Sequence, residues 1–539
     1  MTGVLVTSRV VAASIQSGLA GAISDRGALM AARTLRVLCA LLVGGLALVI
    51  AGSVLALGSS HRSSDLPIFY ATGAIALIAL ARVGIVLYLR RRLGRSRFAF
   101  HTSGRWLVLD VENPYGIRTW SYDLDRAIVP LPPLALPGLL FLAWVVIQMV
   151  PLPPAVADAL SGAETLPGVE PETGRRAVTI FPEQTARGLV FVCWAVVLHL
   201  VAAVALARRD DQQWFRRFVA VLGLVLGVFG LVQMATGTER IYGLFTPVQG
   251  GRFIFGPFVN RDHFGFYMLM VVPIAVGLFA EAYRRYGRLV GSRANLRRQM
   301  VTLSSPAGLS LIYASVPALA AAASLVATTS RGALLAFLGS MAVASAMLVR
   351  RRGAAAGVFV LVLTLAIGSW FGLARIQDRM SRATSDATGR TMVWTDTLER
   401  MGGRWVAGSG FDTFAYAMAG ATAWALPEGA SPWSGPYETS FVGLPYAGYR
   451  FLPGTPINMY YAQAHNEYIQ VLAETGAIGL LILFWAVART LGSVRSDPWL
   501  LAALLGPLFH AFLEFGFQFP SIVALFVTLA AIHPPPPSS

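Results

Sequence analysis

The chain has 539 residues, of which 55% are hydrophobic and only 13% charged, which excludes an ordinary soluble protein and indicates a polytopic membrane protein. Its formal net charge is +16, and all 43 basic residues are arginine. These arginines lie between apolar segments rather than in one basic domain, so the charge does not indicate nucleic-acid binding. Cys39 and Cys193 both lie in apolar runs and give no disulfide or metal framework.

Apolar runs long enough to cross a hydrocarbon core follow a mildly amphipathic N-terminal segment, residues 1–35, which is predicted to be cytoplasmic. They predict an all-α polytopic membrane protein with about twelve transmembrane helices, nine within 36–372 and three within 468–533, before a cytoplasmic tail at 534–539. The predicted spans are 36–57, 67–89, 134–150, 188–207, 217–235, 264–282, 307–328, 333–349, 354–372, 468–488, 498–514 and 520–533.

Loop charge predicts the orientation, because arginine-rich short loops stay on the cytoplasmic side. Dense arginine groups follow the second, fourth, sixth and eighth predicted spans, so both termini are predicted to be cytoplasmic. On this topology 98–131 is a cytoplasmic loop and 373–467 is a large periplasmic loop. Within the cytoplasmic loop, the run Arg105–Val111 followed by the turn residues Asn113–Gly116 predicts a small β-hairpin.

Four polar clusters lie beside helix ends on the predicted outer face. Their charged and titratable members include Arg261, His263, Arg331, Arg390 and His465. Arginine matches phosphate geometry with a forked, permanent charge, and helix N-termini add their dipole. The clusters therefore indicate a site for a lipid pyrophosphate in the outer leaflet.

His465 stands immediately before an apolar helix, at the end of the long predicted loop. A histidine can remove a proton from a hydroxyl near neutral pH, an effect worth roughly 10²–10⁴ in rate when it is well placed. Arginines that hold a lipid-pyrophosphate leaving group beside such a base fit a glycosyl transfer.

Structural explanations stay open for several of these residues. An arginine at a membrane lip also serves as an interfacial anchor, although the tight Ser-Arg-Gly turn leaves Arg331 little room to lie away from the protein. His263 also fits a capping or packing role. For His199 and His510, both inside apolar spans, helix–helix hydrogen bonding is the favoured interpretation.

The acids inside spans are open to a similar structural interpretation. For Glu474 and Glu514 a buried pair or snorkelling is at least as well supported as catalysis. Glu474 lies two turns below Glu467 on nearly the same helical face, so it also fits support of the site from behind.

The residues favour no metal or other cofactor. The long predicted loop has no paired carboxylates at ligand spacing, and the close acidic pairs Asp123/Asp125 and Asp210/Asp211 fall on the cytoplasmic side. If the topology were inverted, a metal-dependent nucleotide-sugar transferase would be the alternative.

The stretch from His465 to Gly479 resembles the hallmark of the bacterial O-antigen ligase and polysaccharide polymerase superfamily. The resemblance covers roughly residues 130–530, and Asp262 and Gly265 depart from the family's Asn-Arg-Asn-His-Phe-Ala element. The supporting matches, in the family's order, are Gly256–Gly265, Ser330–Leu335, Gly389–Trp394, Gly408–Gly410 and His510–Pro520.

This resemblance implies a GT-C-type glycosyltransferase of the inner membrane that takes glycans from undecaprenyl pyrophosphate, without metal and with inversion at the sugar carbon. It implies that His465 is the general base, that Arg331 and Arg390 bind the pyrophosphate, and that Arg261 is a weaker third ligand. The candidate supporting residues are Asn466, Glu467, Tyr468, Glu474 and His263.

The predicted function is therefore transfer or polymerisation of lipid-linked glycans at the periplasmic face. Three acceptors stay open: another lipid-linked repeat unit, lipid A–core, or a protein hydroxyl. The Asn-Arg-Asp-His-Phe form slightly favours an exopolysaccharide polymerase. A flippase or transporter for the same glycan is the alternative from another class, but its charges would be expected near the midplane of several spans rather than at one face.

Overall fold

A computed structural model of the chain describes residues 26–59, 65–93, 106–113, 116–123, 132–161, 174–247, 254–291, 295–350, 383–418 and 463–532. The first helices are α1 (Arg26–Leu55), α2 (Asp65–Leu93), α3 (Ala135–Met149), α4 (Pro154–Ser161), α5 (Pro182–Ala205), α6 (Arg209–Thr236), α7 (Arg261–Val290) and α8 (Leu296–Leu303). They are followed by α9 (Pro306–Ala327), α10 (Arg331–Arg350), α11 (Ala383–Arg400), α12 (Phe414–Ala417), α13 (Glu467–Val494), α14 (Pro498–His510) and α15 (Pro520–Ala530). Single 3₁₀ turns lie at Leu57–Ser59 and Gly516–Gln518.

Eight of the described helices are long and apolar enough to cross a membrane, namely α1, α2, α5, α6, α7, α9, α10 and α13. The apolar helices α3, α14 and α15 are shorter, within 10–17 residues. Each of these eleven helices coincides with a predicted span, and the prediction of a polytopic helical membrane protein is confirmed. The remaining predicted span, 354–372, lies outside the described residues. So do residues 419–462 and the predicted tail at 534–539.

One β-hairpin departs from the all-α class that the sequence predicts. Strands β1 (Trp106–Asn113) and β2 (Gly116–Asp123) pair antiparallel, with Asn113 opposite Gly116. The hairpin predicted from the Asn-Pro-Tyr-Gly turn is therefore confirmed. Outside this hairpin the named elements of the described residues are helices, in agreement with the predicted helical class of membrane protein.

Helix α7 is the central element of the described bundle. Every residue from His263 to Val276 is buried, and the helix packs against α6, α9, α10, α14 and α15. A Cβ added to Gly265 would lie 2.8 Å from the Cβ of Ala333, which brings the first turns of α7 and α10 together. One end of the bundle therefore gathers the N-termini of α7 and α10.

Helix α13 is broken at Gly476, whose φ is 66° and ψ is −171°. Residues 405–410, which lie outside the helices between α11 and α12 and are here called the external segment for that reason alone, cross this break and bond to its backbone. The amide of Ser409 donates to the carbonyl of Ala473 at 2.9 Å, and the amide of Ala477 donates to the carbonyl of Trp405 at 2.8 Å. Such exchange satisfies backbone groups that a break in a helix would otherwise leave unpaired.

Side chains of α3 complete this crossing. The buried Gln148 amide donates to the carbonyls of Ala407 at 2.7 Å and Glu474 at 2.9 Å. Its carbonyl oxygen accepts from the amide of Phe411 at 3.2 Å. The indole N–H of Trp144 donates to the carbonyl of Thr475 at 2.9 Å. The crossing therefore fixes the external segment on α13, close to the end that carries the polar clusters.

Candidate active site

The centre of the site is the carboxylate of Glu514, which lies between His465 and Arg390. Nδ1 of His465 is 3.2 Å from one oxygen of Glu514, and the guanidinium of Arg390 forms an ion pair with the other. The side chain of Glu514 is only 4% exposed, whereas that of His465 is 41% exposed. The acid is thus buried behind a histidine that faces outward.

Electrostatics keep this acid charged. Helix α14 ends at His510, so Glu514 lies in the non-helical segment that follows it. The predicted span 498–514 therefore extends four residues beyond the helix. Burial alone raises the pKa of Glu514, but the hydrogen bond from His465, the charge of His465 and the guanidinium of Arg390 outweigh it and lower that pKa to about 2. An ionised Glu514 accepts the Nδ1 proton of His465, which leaves the Nε2 lone pair available as a base.

Phe515 lies between two of the predicted site histidines. Its ring centroid is 4.7 Å from that of His465 and 5.0 Å from that of His263. His263 is buried on the first turn of α7, where Phe519 also packs against it at 4.1 Å. The structure therefore brings His263 beside His465, with an aromatic ring rather than a hydrogen bond between them.

Arg331 and Arg261 are the first residues of α10 and α7, and both are half-buried. The two helix starts lie side by side at the Gly265–Ala333 contact. The side chain of Asn260 caps α7 by accepting the amide of Asp262 at 2.9 Å. Both arginines thus stand at helix N-termini, where the dipole favours an anion.

Asn466, Glu467 and Tyr468 fasten α13 to the segment that carries Glu514. Asn466 caps the helix by accepting the amides of Tyr468 and Ile469. The buried carboxylate of Glu467 accepts the amide of Phe517 at 2.7 Å, and the hydroxyl of Tyr468 donates to the carbonyl of Leu508 at 2.9 Å. The bonds of Glu467 and Tyr468 therefore tie the start of α13 to the residues on either side of Glu514.

Glu474 holds the external segment rather than His465 directly. Its carboxylate accepts the amides of Asp412 and Phe414, both at 3.1 Å. It also accepts from the amide of Gln470 at 3.3 Å, and Gln470 in turn accepts the amide of Ala464 at 3.1 Å. Glu474 is therefore linked through Gln470 to Ala464, the residue before His465. The sequence analysis did not identify Gln470.

Asp412 is a second residue that the sequence analysis did not identify. It has a positive φ of 63° and accepts from the Gln184 amide at 2.7 Å. Burial, and after it the neighbouring charge of Glu474, raise the pKa of Asp412 well above its usual range, although the hydrogen bond from Gln184 and the charge of Arg187 oppose them. Its sequence signal was its place two residues after Gly410 in the Gly408-Ser409-Gly410 element.

His199 and His510, the two histidines predicted inside apolar spans, differ in their hydrogen bonding. His199 has partners at both ring nitrogens, the carbonyl of Val527 at 2.8 Å and the amide of Leu134 at 3.3 Å, so helix–helix hydrogen bonding is confirmed there. For His510 that prediction is wrong: among the described residues neither ring nitrogen has a hydrogen-bond partner. The difference follows from position, because His510 is the last residue of α14 and faces Gly332.

Within the described ranges, no group of three or more His, Cys, Asp or Glu side chains is arranged to hold a metal ion. The arrangement that is present, a buried acid behind an outward-facing histidine next to arginine-bearing helix starts, suits general-base catalysis beside a bound anion.

Comparison with known proteins adds one finding. A family model described as O-Antigen ligase matches residues 316–484, which run from α9 to the middle of α13. The match includes Arg331, Arg390 and His465, and it ends before Glu514. No curated protein matches the chain.

Proposed function

We propose that this chain is a member of the O-antigen ligase-related superfamily, whose family model matches residues 316–484, and that it is an inner-membrane GT-C-type glycosyltransferase that transfers or polymerises undecaprenyl-pyrophosphate-linked glycans at the periplasmic face. The observation that carries this proposal is the Glu514 carboxylate between His465 and Arg390. It holds the partly exposed His465 in place, and Arg261 and Arg331 begin their helices at the same end of the bundle.

In the proposed reaction His465 acts as the general base. Its Nε2 takes the proton of the acceptor hydroxyl while the hydroxyl oxygen attacks the anomeric carbon of the donor sugar. The bond between that carbon and the pyrophosphate oxygen breaks, and the electron pair leaves with the pyrophosphate. Attack on the face opposite the leaving group inverts the configuration at the carbon.

Glu514 acts through His465 in this scheme and is a positioning residue. It holds Nδ1 as a donor, orients the ring and stabilises the imidazolium that forms when Nε2 gains the proton. Arg390 neutralises Glu514, so only the part of its guanidinium turned away from this pair is available to the pyrophosphate. Arg331, with Arg261 as a weaker third ligand, then supplies the remaining charge for the leaving group.

The experiment that tests this proposal is reconstitution of the purified full-length chain with a lipid-linked repeat unit, with and without lipid A–core. Release of lipid pyrophosphate with glycan ladders on the donor alone means a polymerase, which we favour slightly. Transfer only when lipid A–core is present means a ligase, and transfer only to a protein hydroxyl means a protein oligosaccharyltransferase. No release with any acceptor contradicts the proposal.

The proposed chemistry also needs no metal, since the arginines and helix N-termini supply the charge. Activity should therefore survive a chelator. Activity that is lost with the chelator and returns with Mg²⁺ or Mn²⁺ would contradict that part of the proposal.

A further inference from the structure

His510 is the buried titratable residue that the proposed reaction leaves without a role. Its side chain is fully buried, and among the described residues both ring nitrogens lack a hydrogen-bond partner. Buried polar groups without partners cost free energy and are rare, so each one calls for a physical explanation. Packing alone does not provide one, because an apolar ring would fill the same space without that cost.

The position of the ring points to an anion site. Nε2 of His510 is the atom closest to Gly332, 2.8 Å from where a Cβ of that residue would lie. Gly332 is the second residue of the 20-residue helix α10 and follows Arg331 directly. Only glycine lets the imidazole come this close to the first turn of that helix.

The first turn of α10 still has donors to offer. The side chain of Ser330 caps the amide of Ala333 at 3.3 Å, and the carbonyl of Ser330 accepts the amide of Leu334 at 3.0 Å. The amide of Gly332 precedes those of Ala333 and Leu334 and belongs to the first four N–H groups of the helix, which have no carbonyl partner within the helix. Helix N-termini with such donors bind phosphate through those groups and the helix dipole.

The neighbours of His510 join this turn to the candidate active site. Phe266 of α7 packs against its ring at a centroid distance of 5.1 Å. The charged groups that act on the imidazole are Glu514, Asp262 and Arg390, from the turn after α14, from α7 and from α11. The ring therefore lies between the first turn of α10 and the Glu514–His465 pair.

We propose that Nε2–H of His510, the amide of Gly332 and the guanidinium of Arg331 together bind one phosphate group of the lipid-pyrophosphate donor. His510 thus serves the leaving-group side of the site, while His465 serves the acceptor side. This inference rests on the proposed function for the identity of the donor, although the subsite itself requires only a phosphate-bearing anion.

The test compares His510→Phe with His199→Phe in the full-length protein purified in detergent. Both substitutions replace a buried histidine by an aromatic ring, but only His199 has partners for both nitrogens in the structure. Binding of inorganic pyrophosphate is measured by calorimetry, and the unfolding midpoint is measured without ligand.

We expect His510→Phe to weaken pyrophosphate binding by roughly tenfold to 100-fold, as the loss of a hydrogen bond to a charged group does. Its unfolding midpoint should not fall, whereas that of His199→Phe should. His510→Gln, which keeps an N–H donor and is the variant to use if His510→Phe does not fold, should bind with intermediate affinity. The subsite would be contradicted if His510→Phe, or a folded His510→Leu, bound pyrophosphate with wild-type affinity while Arg331→Ala bound it more weakly.

The same assay distinguishes the source of the phosphate and separates the two proposals. Tighter binding of farnesyl pyrophosphate than of inorganic pyrophosphate, lost in His510→Phe, supports a lipid-linked donor; equal binding of both, lost in the same way, supports a subsite for free anions. If pyrophosphate binding depends on His510 but the protein transfers no glycan, the result supports the subsite and contradicts the proposed function. If His510→Phe transfers glycan at the wild-type rate with an unchanged donor KM, the result contradicts the subsite but not the proposed function.

Discussion

A Cβ placed on Gly476 would lie 2.1 Å from the carbonyl oxygen of Val406, so the broken helix α13 and the external segment touch backbone to backbone. The same crossing brings Gly408 against Glu474, where a Cβ would lie 2.3 Å from the backbone carbonyl. Two glycines thus allow a contact that no other residue type fits. The contact fixes the position of the external segment relative to the first part of α13, from Glu467 to the break at Gly476.

Gly476→Ala should destabilise the protein strongly. The backbone conformation of Gly476, with φ 66° and ψ −171°, is essentially restricted to glycine and costs an alanine about 1–3 kcal/mol, and the collision with Val406 adds about 1–3 kcal/mol of overpacking. The unfolding midpoint in detergent measures the effect. The matched control is Gly73→Ala, since Gly73 lies in α2 with open space around its Cβ position. Equal midpoints for the two variants would argue against a rigid crossing.

Glu514→Gln should lower kcat by roughly 10²–10⁴-fold while changing the donor KM little. The amide cannot stabilise the imidazolium of His465 as a carboxylate does, and it leaves the charge of Arg390 without its partner. Steady-state kinetics with a lipid-linked donor measure both parameters. Glu239→Gln, at an exposed position, is the control. A rise in KM with unchanged kcat would assign Glu514 to substrate binding instead.

Acid should weaken the contribution of Glu514 to stability. Burial raises the pKa of this carboxyl, but the bond from His465 and the charges of His465 and Arg390 bring it down from 4.5 to about 2. Because the folded-state pKa is the lower one, the stabilisation is fully present above pH 4.5 and is lost as the pH falls towards 2. The difference in unfolding midpoint between wild type and Glu514→Gln should be constant above pH 4.5 and should narrow below it. A difference that widens on acidification would show that the pair is not charged.

Arg331→Ala should raise the donor KM by roughly tenfold to 100-fold without loss of folded protein, because one charge-assisted interaction with the pyrophosphate is removed. Arg261→Ala should have a smaller effect in the same direction. Arg288→Ala is the control, since Arg288 is exposed near the opposite end of α7. Donor titrations of turnover measure the three values, and wild-type KM in Arg331→Ala would remove its assignment to the pyrophosphate.

Much of the fold and part of the site follow from local pattern. Hydrophobic runs predicted eleven helices that the structure contains, and the Asn-Pro-Tyr-Gly turn predicted the hairpin. The stretch around His465 was a candidate because its polar residues directly precede a long apolar run. These signals are short-range, and the sequence displays them directly.

The contacts that complete the site are long-range, and local pattern does not reveal them. Glu514 was assigned to the end of a span, yet it pairs with a histidine 49 positions and an arginine 124 positions away. Gln148 bonds to Ala407 and Glu474 across still longer separations. His510 misled the prediction because apolar flanks suggest a helix–helix bond, whereas its actual neighbour is a glycine backbone.

The measurement that tests the central claim most directly is where lipid-linked glycan accumulates when His465 is replaced by alanine. In a cell that makes the glycan, we expect His465→Ala to stop glycan transfer and to leave the donor in the periplasmic leaflet, while Glu239→Gln transfers normally. Accumulation in the cytoplasmic leaflet would contradict catalysis by His465 and would instead indicate a flippase.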